Sequence, residues 1–304
     1  MGAVIRTEGL GKTYRRGGTA LRSLDLELSG GEAFGFLGPN GAGKSTAIHL
    51  LLDFIRPSEG AAFLSGEPAS RSRARRRVGH VPETVRLPGY YTGWGLLEFQ
   101  AGLAGLGRPE RARRASRMLE TVCLAHAAGR RLSGYSKGVL QRLALSQALI
   151  AEPDLLILDE PTFNLDPQVR KHVRDLLLEA KGRGATVFIS SHILSEVEAV
   201  CDRVGILAKE VLRRVGTPTD LSAGGGSEIV VPELPATAIE ALSMTGAQVV
   251  LNGRKATIAC DGPDQEAEVR RVLEERGAAV DAVHARPQSL EEIFRREVGP
   301  EAGP

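Results

Sequence analysis

Gly38-Pro39-Asn40-Gly41-Ala42-Gly43-Lys44-Ser45-Thr46 is the stretch from which the fold of this chain can be read. It fills every position of the spacing G-x-x-x-x-G-K-[ST]. In such a loop consecutive backbone N–H groups turn toward one concave point. Gly38, Gly41 and Gly43 lack a Cβ and so tolerate the positive φ and close approach this needs. The run before it, Ala33-Phe34-Gly35-Phe36-Leu37, predicts a buried strand, and residues 47–52 predict a helix whose positive end faces the same point. In that context the spacing holds nucleoside phosphates, with Lys44 reaching the β- and γ-phosphates and the Ser45 hydroxyl ligating Mg²⁺. The loop alone implies a nucleotide, not its use.

The chain has 304 residues, a net charge of +2, 25% charged and 42% hydrophobic residues. That is room for one large domain or two ordinary ones, with no polycation to suggest nucleic acid. Residues 1–8 lack the apolar core of a signal peptide, the Met1-Gly2 start lacks the Ser or Thr that myristoylation wants, and no apolar run approaches the roughly 20 residues that cross a bilayer. A soluble protein, or one held at a membrane by a partner, is expected. Cys123, Cys201 and Cys260 are widely spaced and odd in number, which points to a reducing cytosol and to small buried apolar residues rather than disulfides or a zinc cluster.

Residues 3–8 and 24–28 alternate apolar and polar as half-buried strands do. Between them residues 11–18 predict a polar turn carrying Tyr14, whose ring could pack or stack on a base. Five arginines occur within residues 71–77; a solvated helix face is expected there rather than an anion patch. Residues 78–83 predict a strand ending at Pro82, with Glu83 just beyond. Over 84–150 the spacing becomes helical, predicting an insertion with one apolar stripe of Leu96, Leu97, Phe99, Leu103 and Leu106 and another of Met118, Leu119, Val122 and Leu124. Arg111, Arg113, Arg114 and Arg117 predict its solvated face. Tyr90, Tyr91 and Trp94 predict a loop packed on the helices.

Residues 154–160 form a continuous apolar run ending in two carboxylates. Unbroken apolarity implies burial on both faces, as in a parallel sheet, and residues at the carboxyl end of such a strand face the ligand crevice. Asp159 is thereby placed to hold Mg²⁺ through water, and Glu160 to orient or deprotonate an attacking water. A helix over 167–182 opens at Pro167, and a buried strand over 185–190 leads to His192 on the same rim. Strands follow near 203–208 and 211–215. Residues 224–227 read as a linker closing a first domain at 223. Residues 228–304 then repeat strand and helix patterns in the order βαββαβ, a small ferredoxin-like module with a capped terminal helix over 289–297.

Tyr135-Ser136-Lys137-Gly138-Val139-Leu140-Gln141-Arg142 and Pro161-Thr162-Phe163-Asn164-Leu165-Asp166-Pro167 flank the carboxylate strand. With them, residues 3 to about 223 resemble the ATP-binding subunit of an ATP-binding-cassette (ABC) transporter. The resemblance implies a P-loop NTPase fold of ABC type, α/β with a mixed sheet core and a helical subdomain at about 84–150. Residues 38–46, including Pro39, Asn40, Ala42 and Thr46, fall in its Walker A and 155–160 in its Walker B. Glu160 falls at the catalytic carboxylate, Tyr14 at the adenine-stacking aromatic, Asp166 in the D-loop and His192 at the switch histidine. Ser136 and Gly138 keep the phosphate-facing positions of a signature usually written L-S-G-G-Q, and Glu83 stands at the Q-loop position. Tyr-Ser-Lys-Gly, Val-Pro-Glu and the ending over 287–294 resemble exporters paired with ABC-2-type permeases; Phe163-Asn164 is an unusual D-loop filling. ATP and Mg²⁺ as cofactors, a head-to-tail dimer with a second cassette, a separate membrane permease and a place on the cytoplasmic face are what this resemblance implies. Cassettes serving periplasmic copper-site maturation, non-transport remodelling factors and small-molecule kinases are the alternatives. The last two fit poorly, lacking a second cassette or coiled-coil insert in one case and any use for residues 135–142 in the other.

Overall fold

The structure is a computed structural model and describes residues 2–163, 165–223, 226–286 and 289–299. The chain divides into two compact units, one ending at Val215 and the other beginning at Gly216.

The first unit opens with β1 (Ala3–Tyr14) and β2 (Gly18–Ser29), followed by β3 (Ala33–Leu37), α1 (Lys44–Leu51), β4 (Glu59–Leu64), β5 (Glu67–Pro68) and β6 (Val78–Val81). The helical segment holds α2 (Gly93–Leu103), α3 (Arg108–Thr121) and α4 (Lys137–Leu149). Then come β7 (Leu155–Asp159), α5 (Pro167–Gly182), β8 (Thr186–Ser191), α6 (Leu194–Val200), β9 (Arg203–Ala208) and β10 (Val211–Gly216). β1 and β2 run further than the two short strands expected: residues 11–14 are strand, and Tyr14 pairs with Gly18 across the turn. Register shifts around Leu10 break the period-2 alternation and hide the strand from pattern reading.

One sheet is antiparallel in the order β2-β1-β4-β5 and the other has the order β10-β9-β3-β8-β7-β6. From β9 to β6 the neighbours of the second sheet pair in parallel. β3, β7 and β8 are buried along their whole length, around apolar centres such as Leu155–Leu158 and Val187–Ile189. α1 lies in the core that joins the sheets: Ile48 and Leu51 share one cluster with Leu24 and Leu64 of the antiparallel sheet and Phe34, Phe36, Ile157 and Phe188 of the parallel one.

The helical segment departs from expectation in three places. Leu96, Leu97 and Ala101 bury one side of α2, but Phe99 is 48% and Leu103 67% exposed, so the first stripe is only half core. α2 packs on α3 and α4 through a narrow face, which leaves its remaining apolar residues outward. Trp94 sits in the first turn of α2, its backbone N–H donating to the Ala128 carbonyl, rather than in a loop. Arg114 is no solvated cation: it pairs with Glu110 and Glu152 and donates to the Ile150 carbonyl at the end of α4, tying α3 to α4. Likewise residues 71–77 form a 3-10 turn at Ser72–Arg75 rather than a helix face, with Arg71 and Arg73 paired to Glu67, Arg75 to Asp53 and Arg77 to Asp154. Cys201 and Cys260 are buried as expected, and burial pushes the Cys201 thiol up to about 12; Cys123 is exposed.

The second unit comprises α7 (Pro218–Ala223), β11 (Gly226–Val231), α8 (Ala236–Met244), β12 (Gln248–Asn252), β13 (Lys255–Cys260), α9 (Pro263–Glu275), β14 (Ala282–Arg286) and α10 (Leu290–Val298). Its boundary precedes the expected one because α7 packs on α10. Of the expected linker, Gly224 and Gly225 lie outside the described residues, and Gly226 and Ser227 already belong to β11. The sheet order is β12-β13-β11-β14, antiparallel throughout. Ile229, Ile258, Leu242, Val269 and Leu273 fill its core, and Ser289 and Glu292 close a capping box on α10.

The Phe34, Phe36 and Phe188 rings pack with centroids 5.4 to 6.5 Å apart, all fully buried. Phe188→Ala is expected to cost about 3–5 kcal/mol in chemical denaturation; a loss below about 1 kcal/mol would show that this cluster is not the core of the parallel sheet.

Candidate nucleotide site

The site begins with how the strands are ordered. β8 lies between β3 and β7, and the register sets Leu37 against Ser191 and Asp159 against Ser190. The carboxyl ends of all three strands therefore reach one rim. The glycine loop after β3, Glu160 after β7 and His192 after β8 meet there.

The glycines of the loop are required for different reasons. Gly43 has φ 107°, and a Cβ on it would lie 2.3 Å from the Ala20 carbonyl oxygen. Gly38 is not in the left-handed region; it allows close approach, since a Cβ there would meet the Leu207 carbonyl oxygen at 2.7 Å. α1 starts at Lys44, three residues earlier than expected, with no side-chain cap and no acidic residue in its first turn. Its N-terminal N–H groups and positive end are thus left for an anion.

Lys44 is only 6% exposed. Its ammonium donates to the Gly38 carbonyl at 2.6 Å and to that of Pro39 at 3.3 Å, and lies 3.2 Å from Oε1 of Glu160. That Oε1 is buried and accepts no hydrogen bond, so its contact with Lys44 is ionic without hydrogen-bond geometry. The other oxygen, Oε2, accepts from Nδ1 of His192 at 2.8 Å. Glu160 itself has φ 47°, a left-handed backbone that costs a non-glycine residue about 1–2 kcal/mol. Its N–H is held by the carbonyl and the hydroxyl of Ser190, at 3.2 and 3.1 Å.

Ser190 is not legible in the sequence as a site residue. Fully buried, it accepts from Glu160 N–H and donates to Oδ1 of Asp159 at 2.5 Å. Its only sequence signal is a polar residue inside an otherwise buried strand. Behind the carboxylates, burial pushes the His80 imidazole below its ordinary value, although the Ile157 carbonyl and Asp159 pull it upward.

A cleft of about 280 Å³ opens on this rim, lined by Ala20, Pro39, Asn40, Gly41, Gly43, Lys44, Ser45, Thr46, Glu83 and Glu160. The structure thus brings together the loop, Glu83 and Glu160, with His192 one hydrogen bond behind. Asp159 is buried beneath and does not line the cleft. Tyr14 does not line it either: the ring stands 41% exposed at the end of β1, with the Lys12 ammonium 5.2 Å from its centroid. Ala42 is buried in the core cluster. Ser136 is the N-cap residue of α4, its side chain making no cap bond, and Gly138 lies in the first turn; neither lines the cleft. Asp166 caps α5 by accepting from Val169 N–H at 3.0 Å. Asn164 lies outside the described residues. Gln141, buried, donates to the Pro161 carbonyl at 3.0 Å and joins α4 to the segment after Glu160. No group of three or more His, Cys, Asp or Glu side chains among the described residues could hold a metal unaided.

Ser190→Ala would strand an oxygen of Asp159 and loosen the strained turn at Glu160. It is expected to lower stability by about 1–3 kcal/mol in urea denaturation and to reduce ATP turnover more than ATP binding. Unchanged stability and turnover would contradict this role.

Comparison with known proteins agrees with this architecture. The ABC transporter family model matches residues 21–163. The Nod factor export ATP-binding protein I of Burkholderia thailandensis is 35% identical over 285 residues, covering 91% of this chain and 91% of the relative. A solved structure described as the ATP-binding subunit of an ABC transporter superposes with TM-score 0.67 at 30% identity, over 72% of this chain and 91% of that one. A bacterial ABC transporter cassette solved as a dimer shares the fold, with TM-score 0.65 at 23% identity over 70% of this chain and 98% of that chain. The chain belongs to the ATP-binding subunits of ABC transporters, a family of ATPases.

Proposed function

We propose that the cleft holds the phosphates of ATP, and that ATP hydrolysis here powers export of a substrate through a separate integral-membrane permease of the ABC-2 type, from the cytoplasmic face of the membrane. The observation that carries the reading is the line of buried Lys44 and Glu160 with half-buried His192 at the mouth of the glycine loop. Loop N–H groups and the positive end of α1 bind the phosphate oxygens, and the Lys44 ammonium, poised over the loop carbonyls, adds positive charge beside them. Glu160, which lines the cleft, orients a water or takes its proton. Nδ1 of His192 is committed to Glu160, so Nε2 is the nitrogen available to the terminal phosphate.

The donor set also suits Mg²⁺, which prefers oxygen ligands and keeps part of its water. Ser45 and Glu83 line the cleft, while Asp159, with Oδ1 engaged by Ser190, would act through water. A bound Mg²⁺ supplies charge neutralisation at the β- and γ-phosphate oxygens. Tyr14 belongs to the same hairpin as Ala20 of the cleft wall, and its partly exposed ring is the group that stacks on adenine in this reading.

The cleft is half a site in this reading. The uncommitted N-terminus of α4, with Ser136 and Gly138, faces the terminal phosphate bound by a second cassette, and Asp166 adjoins the same junction. That a related cassette is solved as a dimer supports the pairing of two cassettes. Export is supported by the relative named as an export ATP-binding protein. Among the described residues no helix is long and apolar enough to cross a membrane, in keeping with a transport path supplied by another chain.

Lys44→Ala is expected to abolish ATP binding and turnover. Glu160→Gln should bind ATP within about threefold of wild type while turnover falls about 100-fold or more. Near-normal turnover in either variant would overturn the assignment. Tyr14→Ala should raise KM for ATP about tenfold with a smaller effect on kcat; an effect confined to kcat would exclude base stacking.

A further inference from the structure

Phe163 stands three residues beyond Glu160 and is large, aromatic and 43% exposed. Exposure of that size in a packed rim calls for a reason. Its ring meets the imidazole of His192 edge to face, with centroids 5.6 Å apart and planes at 70°. Its N–H donates to the Glu160 carbonyl at 3.1 Å, so the turn that carries Glu160 also carries the ring. Away from His192, Phe163 helps line a small cavity of about 180 Å³ with Glu83, Lys137, Leu140 and Gln141. The segment is anchored on that side by the Gln141 bond to Pro161.

A carboxylate can only accept, so Nδ1 of His192 must carry the proton shared with Oε2 of Glu160. That bond anchors one atom of the imidazole, and rotation about it is opposed by the Phe163 ring. We propose that Phe163 is a positioning residue for ATP hydrolysis, holding the His192 imidazole in the plane that gives Nδ1–H to Glu160 and presents Nε2 to the terminal phosphate. The segment between α4 and His192 thereby links the signature helix to the catalytic pair, because Phe163 touches His192 and borders α4 at once. This inference rests on the roles given to Glu160 and His192 above.

Imidazole signals and turnover, measured together, test it. Long-range proton–nitrogen spectra of the full chain identify His192 by its loss in His192→Gln. Wild type should show Nδ1 protonated. In Phe163→Ala the two nitrogens should move toward an average, with kcat falling about three- to tenfold and KM for ATP unchanged within about twofold. Phe163→Tyr, which keeps the ring, should restore both; Phe163→Leu, which keeps apolar volume alone and guards against a folding defect, should not. Wild-type nitrogen signals and kcat in Phe163→Ala, or full rescue by Phe163→Leu, would overturn the proposal. If only the underlying reading fails, Glu160→Gln turns over normally while the His192 signals still move with Phe163→Ala.

Discussion

A buried carboxylate beside a buried ammonium is expensive unless both are held, and the rim of the parallel sheet is organised around holding Glu160 and Lys44. Removing one member of such a pair typically costs about 3–5 kcal/mol, because the other charge is left in a poor solvent. Glu160 adds a second cost by occupying a left-handed backbone. Three neighbours offset these costs: Ser190 fixes the Glu160 N–H, His192 takes one oxygen and Lys44 faces the other. Strain and orphaned polarity concentrated at one residue, with support from every side, mark a position kept for chemistry rather than for folding.

That support exists only because of strand order. β3, β8 and β7 are neighbours although β8 comes last in sequence. The register then aligns Leu37, Ser191 and Asp159 within one residue of the same level. A one-residue slip would turn Ser190 away from Asp159 and separate His192 from Glu160. The phenylalanine cluster and α1 beneath the rim fix that register through packing, so the distant core sets distances measured in tenths of an ångström at the cleft.

Much of this is legible in the sequence, and the reasons are physical. Apolar runs mark β3 and β7, and the Val187–Ile189 centre marks β8, because strands buried on both faces favour such residues; the glycine loop marks itself by spacing. The order of elements in the second unit is legible from its alternating strand and helix patterns, and its terminal helix from the capping residue Ser289. The misreadings share one cause: pattern reports which residues are apolar or charged, not what they meet. Bulges shorten the readable parts of β1 and β2. Phe99 and Leu103 continue a stripe that α2 does not bury. Arg114 reads as solvated although it closes the end of α4. Ser190 is hidden because a single buried hydroxyl has no spacing, and its importance depends wholly on a neighbour in register on another strand.

This chain is, in the proposed reading, half of a catalyst, completed across a phosphate by another cassette. Sedimentation of the Glu160→Gln chain with and without Mg²⁺-ATP tests that most directly. The expected result is a monomer without nucleotide and a stable dimer with two ATP held between the chains. A chain that stays monomeric with bound ATP, while wild type hydrolyses it at full rate as a monomer, would contradict it.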